Sequence, residues 1–193
     1  MIKLVFATNN ENKIKEINAL LTNSIKLLSL KDIGCHEDIP ETANTIEGNA
    51  ILKAKYVYEK YGYDCFADDT GLEINSLSGE PGVFSARYAG EEKNADKNMD
   101  KVLQKLASQK DRTAQFKTVV ALVINGKTST FEGIVEGEIT SKKHGKDGFG
   151  YDPIFKPNGF KITFAEMPLS EKNKISHRGR AVKKLIDFLN STK

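Results

Sequence analysis

The run AQFKTVVALVI, residues 114–124, leads into Asn125-Gly126 and returns through TSTFEGIVEGEI, residues 128–139. An Asn-Gly pair between two alternating runs is a strong hairpin signal, because both residues accept the positive φ that a two-residue turn demands. A hairpin this long commits the chain to a sheet, and the flanking segments decide which kind. Residues 2–7, IKLVFA, read as a buried strand. A polar turn follows, and then Ile14, Ile17, Leu20 and Leu21 recur at helical spacing. IKLLSL at 25–30, CFAD at 65–68 and LEIN at 72–75 read as the next three strands, with IF after Pro153 and FKITF at 160–164 as later short ones. Helices are expected where Ile46, Ala50, Ala54, Val57 and Tyr61 share a face, with Asn44 and Glu47 as a capping box. Two more follow from Ala95, Met99, Val102, Leu103 and Leu106, and from Ala181, Leu185, Phe188 and Leu189. Strand–helix units beside a long hairpin give an α/β protein with a mixed sheet. With 193 residues and no repeat or linker, one domain, of one lobe or two, is expected.

Composition narrows the function classes. A net charge of +3 with only four arginines is a mild balance, which argues against a nucleic-acid binder working through its lysines. The start MIKLVFATNN is too short in apolar residues for a signal peptide or anchor, and no stretch reads as a membrane span. Cys35 and Cys65 lack metal-ligand spacing and read as reduced thiols of a cytoplasmic protein.

FADDTGLEI, 66–74, sets two aspartates side by side at the end of an apolar run, where like charges resist burial. In an extended strand Asp68 and Asp69 point to opposite faces and so address different partners. Gly71 permits a positive φ there. The pair is either an acidic turn or part of a cation site. Glu41, in the loop PETAN, is the leading further ligand. Carboxylates without cysteine or histidine companions suit Mg²⁺, which keeps waters and bridges to phosphate oxygens.

Three other stretches admit both a structural and a chemical reading. TNNENK, 8–13, ends a strand and opens a helix, so it is an ordinary cap at Asn10 or Asn12, or an anion site with Thr8, Asn10 and Lys13 adding donors. Lys53 lies with Asn49 on or beside an apolar helix face, at the core edge or bordering a polar cavity. In GFGYDP, 148–153, Phe149 or Tyr151 could stack on a ring and Asp152 accept from ring N–H groups, or Tyr151 could simply fill the core. In SEKNKISHRGR, 170–180, His177 and Arg178 are potential donors to a carbonyl oxygen.

Together, FATNNENKIKEI, ETANTIEGNAILKA, FADDTGLEI, GEPGVFSARYAG, FEGIVEGEI, GFGYDPIF and LSEKNKISHRGRA resemble the Ham1/RdgB-like family of inosine triphosphate pyrophosphatases, in family order from residue 4 to beyond 180. The resemblance implies a bilobed α/β fold around a long, twisted mixed sheet, with substrate in the cleft, and usually a homodimer. It implies Mg²⁺-dependent hydrolysis of ITP, dITP and XTP to the monophosphate and pyrophosphate. Carried over by position, Thr8, Asn9, Asn10, Glu11, Asn12 and Lys13 would hold the triphosphate, and Glu41 and Asp69 would hold Mg²⁺. Asp69 would accept the proton of the attacking water, Thr70 would contact substrate, and Lys53 would project into the cleft. Phe149, Gly150, Tyr151 and Asp152 would cradle the base, with Lys172, His177 and Arg178 completing the pocket. Asn9 and Ala43 stand where the family often has glycine, and Thr70 where it often has serine. A Maf-type pyrophosphatase is the rival enzyme reading, disfavoured by ETANTIEGNA and SHRG. A nucleotide sensor without turnover would have no need of Asp69.

Overall fold

The computed structural model describes residues 2–21 and 25–191. Its strands are β1 (Ile2–Phe6), β2 (Ile25–Leu28), β3 (Cys65–Ile74), β4 (Thr113–Ile124), β5 (Lys127–Ile139) and β6 (Phe155–Pro157). Its α-helices are α1 (Glu11–Asn18), α2 (Ile46–Tyr61), α3 (Ala95–Lys105), α4 (Leu169–Ile175) and α5 (His177–Ser191). The strands form one six-stranded sheet in the order β2-β1-β3-β4-β5-β6. β1 runs parallel to β2 and to β3, with Val5 opposite Cys65, and β5 pairs antiparallel with β6, Gly137 facing Pro157. The sheet is therefore mixed, as the sequence pattern predicts. Asn125 and Gly126 both take positive φ, 48° and 75°, as the hairpin between β4 and β5 requires.

The chain divides into two compact units. The first comprises Met1–Asp69, Thr118–Gly133 and Arg178–Lys193. Its strands are apolar on both faces because helices cover both. Val5, Ala7, Cys65, Ala67, Val119, Ala121 and Val123 pack with Ala50, Ala54 and Val57 of α2. The alternate residues Leu4, Phe6, Phe66, Val120 and Leu122 pack with Ile17 of α1 and with Ala181, Val182, Leu185 and Leu189 of α5. The second unit, Thr70–Lys117 and Ile134–His177, has its own core. There Met99 and Val102 of α3 meet Leu72, Phe116, Tyr151, Phe155 and Phe164.

Five local expectations are corrected. CFAD and LEIN are one continuous strand, β3, so Gly71 sits inside it and makes no turn. The α2 cap is Thr45, whose side chain accepts from the Gly48 N–H, while Glu47 reaches Thr130 Oγ1 instead of closing a box with Asn44. β2 stops at Leu28, where Ser29 bonds the Asp32 carboxylate and turns the chain. FKITF is no strand: Phe160 and Ile162 are exposed, and Thr163 with Glu166 closes a capping box around a 3-10 turn, Phe164–Glu166. SEKNKI, with no element expected there, lies within helix α4, and α5 begins at His177, ahead of the apolar face that starts at Ala181.

Candidate active site

The alternation of β3 answers how two adjacent aspartates are kept. Asp68 shares the face of Phe66, covered by α1 and α5, and Asp69 shares the face of Ala67, covered by α2. Each side supplies its own cation. Lys13 Nζ from α1 lies 3.0 Å from Asp68 Oδ1, and Arg178 Nε from α5 donates to Asp68 Oδ2 at 2.9 Å. Arg178 also donates from its terminal nitrogen to Glu16, another buried carboxylate of α1. On the other side Lys53 Nζ lies 2.6 Å from Glu41 Oε1 and 3.7 Å from Asp69 Oδ1.

These partners set the protonation states. Burial pushes the Asp68 carboxyl up, but Lys13, Arg178 and Lys53 outweigh it and hold the group well below the usual carboxylate range. Asp69 goes the other way. Burial raises it, and Lys53 and Lys13 do not fully compensate, with Glu41 and Asp68 adding like charge. Burial also lowers Lys13, whereas Lys53 is raised because Asp69, Glu41 and Asp68 overcome its desolvation. Lys53 is thus a firmly charged ammonium, and Asp69 a carboxylate with more than ordinary affinity for a proton.

The turn before α1 is built by its own side chains. Asn10 caps the helix, accepting from the backbone of Asn12 and Lys13 at 3.0 and 3.2 Å, and Thr8 Oγ1 accepts from the Asn10 N–H. Asn9, Asn10, Glu11 and Asn12 are exposed, while Thr8 and Lys13 are half-buried. Lys13 therefore leaves an exposed turn and points its ammonium at Asp68. The loop bearing Glu41 is fastened to α2, where Asn49 Oδ1 accepts from the Ala43 N–H at 2.9 Å one turn before Lys53. Thr70, directly after Asp69 on β3, is half-buried.

The second unit holds the other group of sequence-selected residues. Lys172 Nζ lies 2.6 Å from Asp152 Oδ2, and each side chain is 3% exposed. The same oxygen accepts from the Phe149 N–H at 2.8 Å, which closes the 149–152 turn. Gly148, at φ 73°, is needed there, since a Cβ would collide with the Asp152 carboxylate. The Lys172 ammonium lies 5.0 Å from the centroid of the half-buried Phe149 ring. Gly150 takes φ 63° in the same turn. Tyr151 is a core residue whose hydroxyl donates to Ser85 O at 2.7 Å. His177 is buried and stacks on Phe116, with centroids 4.5 Å apart.

A model of the Ham1 family matches residues 4–188. The chain belongs to the Ham1 family. The dITP/XTP pyrophosphatase of Flavobacterium johnsoniae is 66% identical to it over 192 residues, covering 100% of both chains. That of Flavobacterium psychrophilum is 65% identical, covering 97% of this chain and 98% of its own. The solved Ham1 protein of Coxiella burnetii matches with a TM-score of 0.91 at 40% identity, covering 99% of this chain and 100% of that one.

Within this Ham1-family chain, the sequence leaves the partner of Asp68 open and gives no sign of Glu16. Asp68 carried a signal, since strand alternation separates it from Asp69 and calls for a second cation. Glu16 carried none, because one acidic residue beside Ile17 on a short helix looks like surface. The two carboxylates suited to a metal, Glu41 and Asp69, do converge on one positive centre, the Lys53 ammonium. An all-oxygen pair fits Mg²⁺, which takes its remaining ligands from water and phosphate. Among the described residues no group of three or more His, Cys, Asp or Glu is arranged to hold a metal ion, so the protein would offer these two carboxylates alone.

Proposed function

We propose that this chain, as one pyrophosphatase domain over residues 1–193, hydrolyses dITP, ITP and XTP to the monophosphate and pyrophosphate with Mg²⁺. The relatives named dITP/XTP pyrophosphatase support the reaction. The observation that carries the mechanism is the convergence of Glu41 and Asp69 beside Lys53, with Lys13 and Asp68 across the same strand.

Glu41 and Asp69 would hold the metal, whose charge would draw in phosphate oxygens and ease departure of pyrophosphate. Asp69 takes the proton from water attacking the α-phosphorus, a task its raised proton affinity suits. Lys53 and Lys13 supply positive charge to the phosphates, with the Thr8–Lys13 turn and Thr70 contacting substrate. The base is taken by the Phe149–Asp152 turn with Lys172 and His177. Arg178 acts on a 6-oxo group only if it exchanges part of its hold on Asp68 or Glu16. A homodimer and a cytoplasmic setting belong to the same proposal, supported by the family resemblance and by two buried cysteines that carry free thiols. No described helix is long and apolar enough to cross a membrane.

The test is pyrophosphate release with Mg²⁺ from ITP, XTP, dITP, GTP and ATP in parallel. Strong release from the first three and little from GTP or ATP is expected. No release from any of them refutes the activity, and equal release from all refutes the base-reading role.

A further inference from the structure

Lys53 is placed where a bound cation would be. Its ammonium lies against Glu41 Oε1 at 2.6 Å and 3.7 Å from Asp69 Oδ1, atoms of the two carboxylates that would hold the metal. The residue is 6% exposed and rises from the middle of α2, so it is not a loose surface lysine visiting the site. The same helix fixes the Glu41 loop through Asn49 and Ala43. The carboxylate pair and its ammonium are thus a preassembled triad.

We infer that Lys53 is the resident counter-ion of the metal site and that it makes metal and triphosphate binding depend on one another. The inference rests on the function proposed above. A divalent ion settling on Glu41 and Asp69 meets a fixed positive charge and must displace it. The displaced ammonium then needs another anion, and Asp68, the carboxylate next to Asp69 on β3, is already held by Lys13 and Arg178. The incoming triphosphate is the anion able to receive it. Free metal therefore binds the resting protein poorly. When metal and triphosphate arrive together, the carboxylates pass to the metal and the ammonium to the phosphates. Lys53 has two successive partners, and the exchange between them couples the two ligands.

The test is Mn²⁺ binding to the full chain without nucleotide, followed by electron paramagnetic resonance of free Mn²⁺, for the wild type, Lys53→Met and Lys53→Arg. Lys53→Met should tighten Mn²⁺ by about tenfold or more, the scale on which one neighbouring charge shifts a cation equilibrium. Lys53→Arg, which keeps the charge, should stay within a few-fold of wild type. Adding a non-hydrolysable ITP analogue should tighten Mn²⁺ less in Lys53→Met than in wild type. If Lys53→Met is not folded by circular dichroism, Lys53→Gln takes its place. Equal nucleotide-free Mn²⁺ affinity in wild type and the neutral variant overturns the inference. With wild-type turnover of ITP intact, that result removes only the counter-ion role. Absent turnover removes the function reading itself.

Discussion

Arg178 Nε donates to Asp68 Oδ2 at 2.9 Å, joining residues 110 positions apart, and the arginine is 1% exposed. Its second carboxylate, Glu16, is also buried. Arg178→Met removes the cation these groups share. Asp68 retains Lys13, but Glu16 loses the ion-pair partner it shares with Asp68. Removing one member of a buried pair costs roughly 3–5 kcal/mol. Urea unfolding should show a loss on that scale, and an unchanged midpoint would contradict the buried network.

The same network sets acid sensitivity. The folded pKa of Asp68 is depressed, because Lys13 and Arg178 together overcome the upward push of burial. An unfolded aspartate titrates at about 3.9. Stabilisation is thus fully present above that pH and is lost as pH falls through the lower, folded value. Stability of the wild type should decline more steeply than that of Asp68→Asn from about pH 5 downward. Urea titrations at a series of pH values measure the two slopes, and parallel curves would exclude the effect.

Asp69→Asn should lose about 10²-fold or more in kcat, the usual scale for a general base. Lys53 keeps Glu41 in that variant, so the fold should survive. Pyrophosphate release from ITP at saturating substrate and metal is the measurement, and near-normal turnover would remove Asp69 from the chemistry.

In the second unit, Asp152→Asn and Lys172→Met each leave the partner's charge buried. Removing both removes the mismatch. The double variant should therefore be more stable than the sum of the singles by roughly 0.5–3 kcal/mol. Strict additivity in thermal or urea unfolding would show that the pair is not coupled.

Much of the fold was legible because burial on a regular backbone leaves a periodic trace. The alternation around Asn125-Gly126 located β4 and β5, and the face Ile46, Ala50, Ala54 and Val57 located α2. The misreadings fall where periodicity is short or a neighbouring polar group competes. Thr45 outbid Asn44 for the cap, and the Thr163–Glu166 bonds closed a 3-10 turn where FKITF looked like a strand. In the candidate site, Tyr151 admits both a stacking and a core reading from its glycine-rich turn, and the structure takes the core one, with its hydroxyl donating to Ser85 O.

By itself the sequence determined the α/β class, the hairpin, the helix faces and the family, since these depend on local pattern and on segments kept in order. It also separated Asp68 from Asp69, because neighbouring side chains on a strand must diverge. Only the tertiary structure decided which cation each would meet. Lys13, Lys53 and Arg178 come from three helices distant along the chain, and Glu41 from a loop. An ion pair across such separations leaves no periodicity behind, because it is selected by the cost of burying charge unpaired and not by backbone geometry.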